Sequence, residues 1–168
     1  MISKEMKEKA IKSINEKGSL KYLGSGISRT VYALNRKYVI KIEKYYSDIP
    51  EILEQMPENL LVKKLTDRKK QNIIEFENWE KIKNSELKIY VSKVIGVFFY
   101  QDKLVLLQER GKKIKFGMWR KNRKLIKFKT KMLKEFRKKG YTVTDAHIDN
   151  FVIQNRKYKL CDIGYTKI

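Results

Sequence analysis

The sequence predicts an α+β protein of two layers with a β-rich N-terminal part. Three observations support this fold class: alternating apolar and polar residues between positions 20 and 42, apolar residues at helical spacing at 70–83 and 119–139, and a hairpin pattern at 151–161. A length of 168 residues suits one domain with its own core. We therefore expect a single domain without internal repeats or a flexible linker.

Residues 1–18 are predicted to form an amphipathic helix. Met6, Ala10 and Ile14 fall on one face, and Gly18 follows as a stop signal. The segment is highly charged and lacks the apolar centre of a signal peptide. No apolar run in the sequence approaches the roughly 18 residues that a membrane span needs. Together with the single cysteine, these features predict a cytoplasmic protein without an internal disulfide.

The following segment predicts strands. Residues 20–34 contain two alternating runs joined by a turn with Gly24 and Gly26, and residues 38–42, YVIKI, form a third strand. Residues 45–70 hold both prolines and predict a loop with one helical piece.

A helix is predicted at about 70–83, followed by strands at 89–99 and 104–108. The apolar residues of this helix near one face are Ile74, Trp79 and Ile82.

The chain becomes strongly basic after Gly111, and a second amphipathic helix is predicted at 119–139, ended by Gly140. Its apolar face holds Leu125, Phe128, Met132 and Phe136, and its polar face holds Arg120, Lys121, Lys124, Lys127, Lys131, Lys134 and Lys138. The net charge of +21 favours a nucleic acid or another acidic partner. The alternative is an AT-rich genome, which explains a Lys-, Ile-, Tyr- and Asn-rich chain without a functional cause.

Two apolar runs, at 151–153 and 158–161, flank a polar turn and predict a terminal hairpin. Folding this hairpin brings Asn150 and Asp162 to the same end, with Asp145 on the preceding loop. Amide and carboxylate oxygens are ligands that suit Mg²⁺. The alternative is a pair of ordinary turns, in which Asp and Asn are common.

Three earlier features carry chemistry. In the turn Gly24–Ser25–Gly26, bare backbone N–H groups can approach a phosphate, although a plain turn is the alternative. Lys41 lies in an apolar strand, where its ammonium needs a partner or a phosphate unless it reaches water at a sheet edge. Glu75 lies four residues before Trp79, so it is either that partner or a surface glutamate.

The order of these features resembles the protein-kinase-like superfamily over residues 19–166. Gly24-x-Gly26 followed by Val31 resembles the glycine-rich loop. Lys41 resembles the lysine of the third strand, and Glu75 the glutamate of the αC helix.

The second half of the resemblance begins at LVLLQER, residues 104–110, which is similar to the last N-lobe strand and the hinge. The segment DAHIDN, with Asp145 and Asn150, resembles the catalytic loop of aminoglycoside phosphotransferases more than that of typical protein kinases. Asp162–Ile163–Gly164 resembles the DFG element.

This resemblance implies ATP and Mg²⁺ as cofactors. Lys41, held by Glu75, would contact phosphates, and Asn150 and Asp162 would hold the metal. Asp145 would orient or deprotonate the acceptor hydroxyl. The hinge backbone would bind the adenine edge and consists of Gln108, Glu109 and Arg110.

Two departures from the family pattern stand out. Arg29 replaces the third glycine of the loop, which predicts looser or charge-assisted phosphate cover. No activation segment follows Gly164, so the expected architecture is a single minimal kinase-like domain: an N-lobe at 19–108, and a strongly reduced C-lobe at 109–168 that holds the hinge, the basic helix, the catalytic loop and the DxG hairpin. A second copy or another partner would complete that lobe.

The leading functional hypothesis is a Ser/Thr-protein-kinase-like phosphotransferase that acts on a hydroxyl of a protein or a small molecule. Two alternatives stay open: a nucleotide-binding pseudokinase or regulatory module that needs a partner, and a small nucleic-acid-associated kinase that uses the basic helix at 119–139.

Overall fold

The computed structural model describes residues 2–16, 20–26, 28–44, 71–101, 103–114, 122–162 and 165–167. The chain forms two compact units, the first made of residues 1–76 and 94–109 and the second of residues 77–93 and 110–168. The predicted loop at 45–70 and the predicted helix stop at Gly18 lie outside the described residues. The predicted single domain, with its N-lobe ending at residue 108, stays a prediction.

The first unit is built on a five-stranded antiparallel sheet with the strand order β1-β2-β3-β5-β4. Its elements are helix α1 (Lys4–Asn15), strands β1 (Lys21–Ser25), β2 (Arg29–Ala33) and β3 (Tyr38–Glu43), helix α2 (Gln71–Ile82, whose C-terminal half belongs to the second unit), and strands β4 (Val94–Tyr100) and β5 (Lys103–Glu109). The predicted α+β class with a β-rich N-terminal part is confirmed.

Helix α1 covers one face of this sheet. Ser3 caps it by accepting a hydrogen bond from the N–H of Met6, and Ala10 is fully buried against Ile40 and Val105. The opposite face of β3 presents Lys41 and Glu43, because neighbouring side chains alternate along a strand.

Helix α2 is tied to the sheet by a buried amide. The Asn72 side chain donates hydrogen bonds to the backbone carbonyls of Lys41, at 3.0 Å, and Leu104, at 2.8 Å. The prediction that Ile74 packs on the buried face is wrong, since its side chain is 41% exposed. The helix is rotated so that buried polar residues take that face, and counting apolar residues alone does not detect this rotation.

The second unit contains a 3₁₀-helix (Glu86–Tyr90), strand β6 (Lys112–Lys113), helix α3 (Arg123–Lys138), strand β7 (Tyr141–Val143), a 3₁₀-turn (Ile148–Asn150) and strands β8 (Phe151–Gln154), β9 (Lys157–Leu160) and β10 (Tyr165–Lys167). Strand β7 pairs with β10, and the second sheet has the order β6-β8-β9. The predicted strand start at residue 89 is wrong. Ser85 caps the 3₁₀-helix by accepting a hydrogen bond from the Leu87 N–H at 3.2 Å, so strand β4 begins only at Val94.

Helix α3 begins later than predicted. Asn122 caps it by accepting a hydrogen bond from the Leu125 N–H at 3.1 Å, while residues 119–121 lie outside the described residues. Gly140 ends the helix as predicted, with a φ of 78° that favours glycine. The buried face holds Leu125, Met132 and Phe136.

The terminal hairpin forms as predicted, with β8 and β9 antiparallel. Its two turn residues, Asn155 and Arg156, have φ values of 47° and 62°, as a tight hairpin turn requires. Phe128 of α3 packs against this hairpin, with its ring 6.2 Å from that of Phe151 and 5.7 Å from that of Tyr158.

No helix in the described part of the chain has both the length and the apolar character that crossing a membrane requires. The cytoplasmic location stays a prediction.

Candidate functional site

The first unit contains a buried ion pair between Lys41 and Glu75. The Lys41 ammonium lies 2.8 Å from both carboxylate oxygens of Glu75, and the two side chains are 6% and 1% exposed. Strand β3 directs Lys41 toward α2, and α2 directs Glu75 back toward the sheet. The two residues that the sequence suggested as partners are therefore in contact.

Arg29 is a second cation on the same carboxylate. Its Nη1 lies 2.6 Å from Glu75 Oε2 and 3.1 Å from the side-chain oxygen of Asn72, and the residue is 5% exposed. The interpretation that Arg29 adds charge to the phosphate cover is wrong for this geometry, because the guanidinium is used inside the unit. A signal was present in the strand pattern: Arg29 lies directly opposite Glu43 across β2 and β3, on the face that Lys41 also occupies.

Gln108 completes this cluster. Its side-chain amide donates a hydrogen bond of 2.9 Å to Glu75 Oε1, and the residue is fully buried. The sequence assigned Gln108 to the hinge through its backbone and did not predict this role for its side chain. Glu109 and Arg110 follow at the end of β5, where both are half-buried.

Glu43 is a second buried carboxylate beside the cluster. Its Oε1 accepts a hydrogen bond of 3.1 Å from the Asn72 N–H. Burial raises the pKa of Glu43, and this hydrogen bond and the charge of Arg29 offset the effect only in part. Two cations therefore face two carboxylates when Glu43 is ionised, and the cluster gains one positive charge when Glu43 is protonated.

The glycine turn lies at the end of β1 and β2 and is bound to Arg29. The Gly26 N–H donates to the Arg29 carbonyl at 2.9 Å, and the Ser25 hydroxyl lies 3.4 Å from the same oxygen. Val31 pairs with Gly24 on one side and with Lys41 on the other. The turn and the ion pair are thus joined through β2.

Among the described residues, neither close packing nor a left-handed backbone accounts for the two glycines of this turn. Gly24 and Gly26 have no left-handed φ, and a Cβ at Gly24 would meet nothing within 4 Å. At Gly26 the nearest atom is the Arg29 carbonyl oxygen at 4.0 Å. A glycine leaves room beside its backbone, because it has no side chain. This room would let an external group approach the turn closely.

In the second unit, Asn150 and Asp162 both lie at the open end of the hairpin. The Cys161 N–H donates to the Asn150 carbonyl at 2.7 Å, which sets Asp162 one residue beyond this pairing. The Asn150 side-chain N–H donates to the Asp145 carbonyl at 3.1 Å, so the amide oxygen is the atom left to bind a cation. Asp145 lies exposed on the loop after β7.

His147 orders the loop between these residues. Its Nδ1 lies 3.5 Å from the Asp149 N–H and 3.4 Å from the Asp149 carboxylate, and its carbonyl accepts a 3.1 Å hydrogen bond from the Asn150 N–H. The loop is held by local bonds of its own, which supports a structural role for His147.

Across the described residues, no three His, Cys, Asp or Glu side chains form a group that could hold a metal ion. The predicted set contains one amide and one carboxylate, Asn150 and Asp162. This set fits Mg²⁺, because that ion takes one or two carboxylates and fills its remaining positions with water and phosphate oxygens.

A cavity of about 390 Å³ in the second unit lies apart from these residues. It is lined by the 3₁₀-helix Glu86–Tyr90, Glu135 and Lys139, and contains none of the predicted site residues.

No protein-family model matches the chain, and no curated protein matches its sequence. Solved structures do match its fold, and several structures of the protein WbdD are among them. A 2.2 Å crystal structure of WbdD superposes with a TM-score of 0.61 at 16% identity, covering 88% of this chain and 33% of that one. A structure described as the bifunctional kinase-methyltransferase WbdD gives a TM-score of 0.54 at 19% identity over 86% of this chain and 32% of that chain.

A third structure, WbdD with the kinase inhibitor LY294002, gives a TM-score of 0.52 at 17% identity, covering 84% of this chain and 32% of that one. The chain thus spans about a third of the length of the WbdD structures it matches. At this level of sequence identity, the structural similarity shows the fold alone. The chain has a kinase-like α+β fold.

Proposed function

We propose that the protein is an ATP- and Mg²⁺-dependent phosphotransferase that transfers the γ-phosphate to a hydroxyl group. The observation that carries the proposal is the buried Lys41–Glu75 pair, joined through β2 to a glycine turn that no described residue crowds. A kinase-like fold supports the same chemistry.

The first unit would bind the phosphates of the nucleotide. Lys41 would contact phosphate oxygens, and the absence of side chains at Gly24 and Gly26 would let these oxygens approach the turn closely. Glu75 orients Lys41, and because Arg29 also pairs with Glu75, the carboxylate keeps a buried cation when the ammonium turns toward phosphate. The backbone of Glu109 and Arg110 would form hydrogen bonds with the edge of the adenine base.

The second unit would supply the metal ligands and the acceptor site. The amide oxygen of Asn150 and the carboxylate of Asp162 would hold Mg²⁺, which neutralises phosphate charge when bound. Asp145 is exposed on its loop, where it would accept the proton of the acceptor hydroxyl. A Ser/Thr-type protein acceptor, and a second copy or partner that completes this unit, stay predictions.

The test is Mg²⁺-dependent ADP formation from ATP by the purified protein, with Asp145→Asn and Asp162→Asn as paired variants. We expect turnover in the wild type and none in either variant, while all three unfold at the same urea concentration. Normal turnover by Asp162→Asn would show that the assigned metal ligand is wrong.

Thermal unfolding with and without Mg·ATP separates catalysis from binding, since a ligand of the native state raises the unfolding temperature. A raised unfolding temperature without turnover would favour the nucleotide-binding module over the enzyme. No turnover together with no change in unfolding temperature would overturn the proposal.

A further inference from the structure

The positive charge is concentrated in the second unit. That unit has 23 basic and 7 acidic residues among 76, a net charge of +16, while the first unit has 17 basic and 12 acidic residues among 92, a net charge of +5. A genome-wide composition bias would raise the charge of both units alike. The uneven distribution therefore needs a cause in the second unit itself.

Helix α3 carries the densest part of this charge. Eight of its 16 residues are basic and one is acidic. Five exposed cations follow one another along one side of the helix, and we call them the basic stripe: Arg123, Lys127, Lys131, Lys134 and Lys138. Their spacing of three or four residues sets them one above the other over about 22 Å, at roughly 1.5 Å per residue.

The part of the chain that the structure describes does little to neutralise the basic stripe. Among the described residues only Lys138 has a carboxylate within ion-pair distance, Glu135 at 2.9 Å. The hydrogen bond from Lys138, together with the charges of Lys131 and Lys134, lowers the pKa of Glu135, so this carboxylate already lies in the field of several cations. Like charges three or four residues apart destabilise a helix, and an anionic partner would remove that cost.

We propose that the basic stripe is a docking surface for a double-stranded nucleic acid, held through its phosphodiester backbone. The charge is complementary, and a duplex presents phosphates along the length of such a stripe. The inference is independent of phosphoryl transfer, because none of the five residues belongs to the proposed nucleotide or metal sites.

Two other anionic partners fit the surface less well. A membrane-surface helix inserts an apolar face, but Leu125, Met132 and Phe136 are at most 1% exposed within the unit's own core. Single strands are bound by stacking their bases on exposed aromatic rings, and Phe128, the aromatic ring of α3 that remains half-exposed, packs on Tyr90 and Tyr158 instead.

The test is fluorescence anisotropy with a labelled DNA duplex of about 20 base pairs, measured between about 50 and 200 mM salt. The wild type should bind with a slope of log affinity against log salt of about −4, because each phosphate contact contributes about −0.9. The triple variant Lys127→Gln, Lys131→Gln, Lys134→Gln should lower that slope by about 2 to 3 and weaken binding at least tenfold at the same salt.

The matched control is Lys9→Gln, Lys21→Gln, Arg36→Gln, which removes the same charge from three exposed positions of the first unit. It should retain the wild-type slope. Equal losses in both triple variants would overturn the proposal, because net charge and not the stripe would then decide binding. So would single strands that bind as tightly as the duplex, or binding to phosphatidylserine vesicles without binding to the duplex.

Discussion

Arg29 and Lys41 share the carboxylate of Glu75, with the Arg29 guanidinium at 2.6 Å and the Lys41 ammonium at 2.8 Å. The backbone carbonyl of Arg29 also accepts the N–H of Gly26. One residue thus links the glycine turn to helix α2, and the position that interrupts the expected glycine pattern has a structural purpose.

Because Arg29 and Lys41 share one carboxylate, we expect substitutions of Glu75 and of Lys41 to reduce stability by unequal amounts. Glu75→Gln should destabilise the fold by about 3–5 kcal/mol, because it removes the carboxylate that is hydrogen-bonded to both buried cations. Lys41→Met should cost about 1 kcal/mol or less, because Glu75 keeps Arg29 and the methionine fills the lysine's volume. Urea unfolding measures both, and Glu77→Gln, an exposed position of the same helix, is the control. Equal losses for Glu75→Gln and Lys41→Met would contradict the shared carboxylate. ADP formation should disappear in Lys41→Met despite its folded state.

Replacing Arg29 should affect both stability and nucleotide binding. Arg29→Ala should cost about 1–3 kcal/mol, since Asn72 and Glu75 each lose a buried hydrogen bond. Arg29→Lys should recover part of the loss, because a lysine keeps the charge but cannot bond both groups as a fork. We expect a higher KM for ATP with kcat nearly unchanged in the lysine variant, because a weaker side-chain link to α2 lets the backbone carbonyl that holds the Gly26 N–H shift its position. Arg36→Ala, in the exposed β2–β3 turn, should change neither quantity. A variant that loses stability while KM stays constant would restrict Arg29 to a structural role.

Glu43 predicts a pH dependence of stability. Its pKa is raised above the ordinary value of 4.5, so the folded state binds its proton more tightly than the unfolded state does. The ionised carboxylate therefore begins to cost stability as the pH rises above 4.5, and the cost is complete once the pH has passed the raised pKa. Relative to the wild type, Glu43→Gln should gain stability as pH rises through this range. Urea unfolding at a series of pH values measures the difference, and a difference that stays constant or shrinks with pH would rule the assignment out.

We expect alanine substitutions at Gly24 and Gly140 to have opposite patterns of effect on stability and on ATP affinity. Gly24→Ala should leave stability unchanged or raise it by up to about 1 kcal/mol, because its new Cβ has open space and its backbone is not left-handed. If phosphates approach the turn, ATP should bind several-fold more weakly. Gly140→Ala is the matched control: its φ of 78° makes alanine destabilising by about 1 kcal/mol, without an effect on ATP affinity. Thermal unfolding and ATP titration of both variants measure this pattern. Unchanged ATP affinity in Gly24→Ala would mean that the turn does not bind phosphate.

The sequence by itself determined the elements whose signals are local. The strands at 21–43, the helix at 71–82, the Gly140 stop and the terminal hairpin follow from apolar periodicity and from turn residues, which act over a few neighbouring positions. The pairing of Lys41 with Glu75 could be predicted for the same reason, because each residue stood out against the apolar pattern of its own element.

Only the tertiary structure decided which other side chains join that pair. Arg29, Asn72 and Gln108 come from three separate elements, and their meeting depends on the strand register and on the rotation of α2 about its axis. The exposure of Ile74 and the 3₁₀-helix at 86–90 have the same origin, since burial is set by the neighbours that folding supplies. The spacing of apolar residues indicates only the secondary structure of its own segment. A buried polar network cannot be predicted in this way, because its side chains come from several segments at once.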